Sequence, residues 1–342
     1  MIGRIKFRNM TRNPISILAP WFLAAAVPTT AFAEWSVTTR GTLFYTDDVG
    51  IFSATRRLTR DADPTQPALD SRLTGQGSDG VFEPMLKVSN SLASRYGTTT
   101  LDLRGDGFVF FDHTQYSNGT LLFQGQQAFT PETKVLLRYY YNPDLFLGDN
   151  EERRSGSFLI APERVSSQIG SLRIDQEVTE GLELRLLGRY GTRRYNQPYQ
   201  QRDTNFWTIG PHLEWKLLPA VTLGLAYHYE RGLADGRHQP EYEDDVSYAN
   251  QYASADLDFE LSEDFSLTAG FHYEHNDWLS RLEGDERNGA NENVYQGEML
   301  LVYRISEKTR AYTGVQHSSR KESFEVEGIK NTNVGLGVQT QF

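Results

Sequence analysis

The feature that most constrains this chain is a two-residue alternation that runs through it almost from end to end. Over 182–193, Leu182, Leu184, Leu186, Gly188 and Tyr190 alternate with Glu183, Arg185, Leu187, Arg189 and Arg193. Trp207, Ile209, Leu213, Trp215 and Leu217 alternate with Thr208, His212, Glu214 and Lys216. Val221, Leu223, Leu225, Tyr227 and Tyr229 do so with Thr222, Gly224, His228 and Glu230, and Phe265, Leu267, Ala269, Phe271 and Tyr273 with Ser266, Thr268, His272 and Glu274. A period of two puts successive side chains on opposite faces of a strand. No stretch keeps a 3.6-residue apolar stripe, so helices are minor. One face of these strands is apolar throughout and the other is densely charged. A soluble sheet would hide the first face against a partner sheet. Lipid covers it equally well, water in a lumen covers the second face, and only closure satisfies every backbone group inside hydrocarbon.

Composition removes the alternatives. The chain has 342 residues, a net charge of −11 and no cysteine, and 12% of it is aromatic. An acidic chain this rich in aromatics is ordered. After residue 33 no apolar run reaches the ~20 residues of a membrane helix. Without cysteine there is no disulfide scaffold, thiolate zinc site, thiol nucleophile or lipidated N-terminal cysteine. The acidic balance argues against nucleic acid as a partner.

Residues 1–33 read as an export address. Arg4, Lys6, Arg8 and Arg12 precede a short apolar stretch from Ile15 to Val27, and Ala31-Phe32-Ala33 is a small-x-small cleavage site. That is the secretory pattern, expected to be removed to leave a mature chain over 34–342 in a bacterial envelope.

Two kinds of connection take turns between the strands. Arg95-Tyr96-Gly97, Thr130–Thr133, Thr179–Gly181, Leu218–Ala220, Ser262–Asp264 and Ser306–Thr309 are tight. The segments 47–80, 112–118, 143–164, 194–204, 231–246, 277–292 and 318–328 are long and polar. This alternation predicts an all-β fold: a transmembrane antiparallel up-and-down barrel of 14 strands, with short periplasmic turns and long extracellular loops. Aromatics on the apolar face sort by height. Trp35, Trp215, Phe259, Phe265, Tyr303 and Tyr312 mark the tight-turn end, and Tyr45, Tyr139, Tyr141, Tyr190, Trp207, Tyr229, Tyr273 and Tyr295 the long-loop end. Two aromatic belts around an aliphatic band match the two interfaces of a bilayer.

Val334, Leu336, Val338, Thr340 and Phe342 share one face of the last strand. This strand resembles the C-terminal signal strand of Gram-negative outer-membrane barrels. The resemblance implies an assembly signal of Val334, Leu336, Val338 and Phe342, read by the barrel assembly machinery. In strand number and loop layout the chain resembles the monomeric fourteen-stranded porins. That implies a monomer in the bacterial outer membrane, among its lipids and lipopolysaccharide. Entry into the first strand at Trp35, without a plug domain or an N-terminal hatch, does not resemble TonB-dependent receptors or fatty-acid transporters. No periplasmic helical repeat points to a polysaccharide-export porin.

Strand parity assigns a lumen. Arg104, Arg138, Arg173, Arg185, Arg189 and Arg193 form a basic wall on strands one to seven, with Arg40 and Lys87 and against Asp102, Asp106, Asp175, Glu177 and Glu183. Glu230, Asp256, Asp258, Glu260, Glu274 and Glu298 form an acidic wall on strands eight to fourteen, with Glu214 and against Lys216 and Arg304. The first wall carries about +3 and the second about −5, and opposed rows would orient polar solutes in a pore. The same charges pairing across strands would merely stabilise the wall. The loop from Asp47 to Gly80 is long enough to stand in solvent or, the favoured reading, to fold inward as a partial constriction, with Asp61, Asp63 and Asp70 as its candidate lining. The run Glu241–Asp245 reads as a solvated acidic loop rather than a calcium site, since it lacks regular ligand spacing. Arg153, Arg154, Arg281 and Arg287 are loop cations that would meet lipopolysaccharide phosphates.

No enzyme is expected. His317 and Ser319 have the spacing of a nucleophile and base, but parity puts them on the lumen face without an orienting group. His272 and Glu274 share a lumen face at a height where an outer-membrane protease would act, again without a full constellation. No cofactor or metal is called for. The expected function is a porin-like channel for passive diffusion of small polar or charged solutes. The alternative is a non-transport barrel, structural, adhesive or an assembly partner acting through its loops, and less so a hydrolase with a lumen or rim site.

Overall fold

A computed structural model describes residues 33–58, 64–67, 75–156, 158–323 and 327–342. Residues 1–32 of the expected signal segment, and Asp61, Asp63 and Asp70, lie outside the described residues.

The alternating segments form fourteen antiparallel strands in one closed barrel, each paired with its chain neighbours and the first with the last. They are β1 (Ala33–Thr46), β2 (Asp79–Ser94), β3 (Gly97–Phe110), β4 (Asn118–Ala128), β5 (Thr133–Glu151), β6 (Ile160–Thr179) and β7 (Leu182–Tyr195). The second half is β8 (Thr204–Leu218), β9 (Val221–Ala234), β10 (Tyr248–Glu260), β11 (Phe265–Trp278), β12 (Asn291–Arg304), β13 (Thr309–Glu322) and β14 (Ile329–Gln341). Closure runs along β1 and β14, from Thr38 opposite Gln341 to Thr46 opposite Asn333. Every strand therefore has two partners and no edge is left to lipid. Tight connections such as 95–96, 180–181 and 219–220 lie on one rim, and β1 begins and β14 ends there.

Exterior and interior separate as the alternation requires. Leu86, Leu103, Phe123, Leu186 and Leu336 are exposed on the outside. The outer aromatics pair at the two heights expected of them. Phe265 stacks on Tyr303 at the tight-turn end with ring centroids 4.8 Å apart. Trp207 with Tyr229 at 5.4 Å, and Tyr273 with Tyr295 at 5.1 Å, do so at the other.

β13 departs from the sequence reading. Thr313, Val315 and His317 are its exposed face, while Gln316, Ser318 and Arg320 are buried inside. Tyr312 thus faces the lumen, its hydroxyl bonded to Thr42, and does not belong to the outer belt. His317 faces outward, not into the lumen. Neither face of β13 is strongly apolar, so alternation alone could not orient it. The polar partners of Gln316 and Arg320 on β12 did.

The described parts of the first loop lie inside the barrel on the long-loop side. Val49–Arg57 is a nine-residue helix, α1. Asp48 caps it by accepting from the Gly50 amide at 2.9 Å, and Arg56 and Arg57 sit in its last turn, where cations suit the helix dipole. The fully buried Phe52 packs edge-on against Phe108 at 5.3 Å and Phe110 at 5.6 Å, inside the barrel mouth. Ile51 joins Leu145, Leu147 and Val165. Burying a side chain of this size contributes about 1.5–3 kcal/mol, which holds the helix in the lumen rather than above it.

Candidate functional site

The site is the space beneath this loop. The loop crosses the lumen and is fastened on opposite walls. On one side Thr55 donates to Asn331 on β14 at 3.1 Å, and Arg56 pairs with Glu83 on β2 at 3.1 Å. Arg57 reaches Glu274 on β11, and the Leu58 carbonyl accepts from Tyr252 on β10 at 3.3 Å. On the far side Arg193 donates to the carbonyls of Pro64 and Gln66 at 3.4 and 3.3 Å, and Ser167 to that of Thr65 at 2.8 Å. The expected inward constriction exists, and a helix builds its first part.

Below it lies a cavity of about 390 Å³. Arg104, Arg138, Arg173, Arg185, Arg189 and Arg193 all line it, as do Glu230, Asp256 and Glu274. Asp258, Glu260 and Glu298 lie outside that lining. Asp258 accepts from Thr268 at 2.6 Å, Glu260 is exposed toward the tight-turn rim, and Glu298 turns to Gln316 and His272.

Most of these charges are tied within the wall. Arg173 bonds Asp175 at 2.8 Å two residues on, on its own strand face. Arg185 bonds Glu183 on its strand and Glu214 on β8 at 2.6 Å. Arg104 bonds Asp106 at 2.6 Å. Glu274 is taken by Arg57 of the loop, and Glu230 accepts from Thr208 and Tyr248, both at 2.6 Å. Three lining cations stand apart. Among the described residues Lys87, Arg138 and Arg189 have no carboxylate at ion-pair distance, Arg138 donating only to Gln124 at 2.6 Å. Loop residues, not wall residues alone, set this balance. Sequence parity could not see that Glu274 would be neutralised by a helix 217 residues away in the chain.

The acidic run 241–245 is solvated only in part, with Glu241 and Glu243 exposed. Asp244 and Asp245 are buried. Asp244 accepts from Arg202 at 2.8 Å and from Arg287 at 3.2 Å, and Arg202 also holds Glu163 at 2.9 Å. Burial would raise the Asp244 carboxyl, but the guanidiniums of Arg202 and Arg287 outweigh it and hold it well below the usual carboxylate range. Arg287 therefore points into the loops, not at lipopolysaccharide. Arg153 donates to the Glu243 carbonyl at 2.6 Å, and Arg154 lies over the Tyr242 ring. Asp244 balances cations supplied by other loops, which is invisible from its own neighbours in sequence. His317 bonds Thr332 at 2.9 Å and makes no hydrogen bond to Ser319 among the described residues.

A closed antiparallel barrel with an apolar exterior, two aromatic heights and a charged lumen defines an integral outer-membrane protein of Gram-negative type. No family model matches the chain, and no curated protein matches its sequence. Among solved structures it is similar to the outer membrane channel DcaP of Acinetobacter baumannii, with 10% identity, 91% of this chain and 97% of that chain covered, and a TM-score of 0.54. It is also similar to a bacterial polysaccharide outer membrane secretin, with 8% identity, coverages of 90% and 98%, and a TM-score of 0.50. At these identities the likeness is one of fold, that of bacterial outer-membrane channels.

Proposed function

We propose that this barrel is a porin-like channel through which small polar or charged solutes diffuse, with anions favoured beneath the first loop. One observation carries the reading. The cavity of about 390 Å³ inside the barrel presents Lys87, Arg138 and Arg189 without carboxylate partners among the described residues. Unpaired cations in a dry lumen would be prohibitively costly, so the space is wet. Rows of fixed charge around such water select among ions. The basic and acidic walls read from the sequence act unequally here, because Glu274, Glu214 and Asp106 are already spoken for by arginines. The tight turns face the periplasm and the loops the exterior, residues 1–33 direct export, and the last strand serves assembly.

Planar-bilayer recording of the purified barrel tests this. A reproducible open-channel current with anion-preferring reversal potentials supports the channel. A silent bilayer supports the competing class, a barrel that acts through its loops. The buried Arg202–Asp244–Arg287 network, which would present those loops as a fixed surface, favours that second reading.

A further inference from the structure

We propose that Asp256, His272 and Glu298 form a binding site for a divalent first-row transition-metal ion in the lumen wall, an activity the channel reading does not use. The three lie on adjacent strands in one row. Asp256 on β10 is opposite Gly270 on β11, and Gly270 is opposite Glu298 on β12. His272, two residues further along the same face of β11, leans back over Gly270. One donor atom from each of the three falls within 4.8 Å of the others.

Glycine at 270 is what keeps this space open. A Cβ there would meet Asp256 Oδ1 at 2.7 Å, Glu298 Cγ at 3.0 Å and His272 Nε2 at 3.2 Å. Those three contacts are the three proposed ligands. Any other residue would place a carbon where the ion is to sit.

The imidazole supplies the second, independent observation. His272 is fully buried, and among the described residues its Nε2 makes no hydrogen bond. That nitrogen lies 3.5 Å from Glu298 Oε1 and 3.9 Å from Asp256 Oδ1. The other ring nitrogen fixes the tautomer. The Tyr252 hydroxyl donates to the Leu58 carbonyl, so its oxygen is left to accept from His272 Nδ1–H at 2.8 Å. The Nε2 lone pair then faces two carboxylates. A cation between these three electron-rich atoms, converging in a buried place, would satisfy all of them. Two donors about 2.1 Å from a tetrahedral ion lie about 3.4 Å apart, near the separations seen.

The outer partners are those a metal site requires. Tyr252 orients the ring, and Gln316 donates to Glu298 Oε2 at 2.9 Å, turning its other oxygen toward the site. Glu274 cannot compete, since Arg57 holds it. One imidazole and two carboxylates suit Zn²⁺ or Mn²⁺. Ca²⁺ and Mg²⁺ prefer oxygen alone. Asp256 also lines the lumenal cavity, which gives an ion its route in.

The test is calorimetric titration of the folded full-length barrel in detergent, stripped with chelator, using Zn²⁺ and, separately, Mn²⁺. One ion per barrel is expected, undisturbed by a large excess of Mg²⁺. Glu298→Gln and His272→Gln should each weaken binding at least tenfold, and Gly270→Ala should do so with all three ligands retained. His212→Gln and His317→Gln, which alter imidazoles outside the site, should leave it unchanged. Heat-dependent gel migration reports folding. Glu298→Gln is nearly isosteric and keeps a partner for Gln316, so it decides the matter if Gly270→Ala does not fold. Absence of stoichiometric binding by the unaltered barrel overturns the proposal, as does binding that survives Glu298→Gln and His272→Gln. The current recordings of the unaltered barrel are a separate readout, so failure of either proposal leaves the other standing.

Discussion

Arg57, in the last turn of α1, holds both carboxylate oxygens of Glu274 on β11, at 2.5 and 2.6 Å. The pair joins the end of the helix to the wall four strands round the barrel from β1. Breaking such a pair strands a largely buried charge, at about 3–5 kcal/mol. Glu274→Gln is therefore expected to free the last turn of α1 while Phe52 keeps its first turn seated. Single-channel recording should show a larger and noisier open current. An unchanged current would mean that the loop does not restrict the pore.

Selectivity divides the lumenal arginines into two groups. Arg138 and Arg189 have no carboxylate partner among the described residues, so replacing both by glutamine should shift reversal potentials toward cations under a salt gradient. The shift should fade in high salt, where the Debye length drops to about 3 Å at 1 M. Arg185 bonds Glu183 and Glu214. Arg185→Gln should instead lower the temperature at which the barrel unfolds, seen by gel migration, with a smaller effect on selectivity. Equal shifts from the two groups would sink this distinction.

The buried loop network should fail in acid. The Asp244 carboxyl is held below its ordinary value, so it binds a proton more readily in the unfolded chain than in the native loops. Its contribution is complete above the ordinary aspartate value of about 4 and is lost as pH falls below it. Protease cleavage within 235–247 and 279–290 should rise over that range while the strands stay protected. Asp244→Asn should bring the same cleavage at neutral pH, since it leaves Arg202 and Arg287 buried with one partner fewer.

Phe342 closes the sheet through backbone bonds with Val37 at 2.8 and 3.3 Å, while its ring is exposed outside. The resemblance of the last strand to an assembly signal gives the ring a separate task. Phe342→Ala should lower the yield of barrel in the outer membrane of cells. It should leave the heat stability of barrel refolded in detergent nearly unchanged. Equal loss in both would assign the ring to the fold alone.

The alternation of Leu182 to Tyr190 with Glu183 to Arg193, repeated strand after strand, was enough to determine a closed barrel. One face belongs to lipid, the other to water, and tight turns alternate with long loops. Side-chain period and backbone satisfaction are local properties, so they are written in the chain. It also placed Arg138, Arg189 and Asp256 on the lumen face, because strong amphipathicity orients a strand without its neighbours. Tyr312 and His317 show where that ends, since β13 has two weak faces and only its pairing with β12 chose between them. What fills the lumen was not legible at all. Phe52 finds Phe108 and Phe110 beyond β2, Arg57 finds Glu274 on β11, and Asp244 finds Arg202 and Arg287 two strands away on either side. Gly270 opens a space whose three walls come from three strands. Such contacts follow from register and closure, which set distance in the barrel independently of distance along the chain.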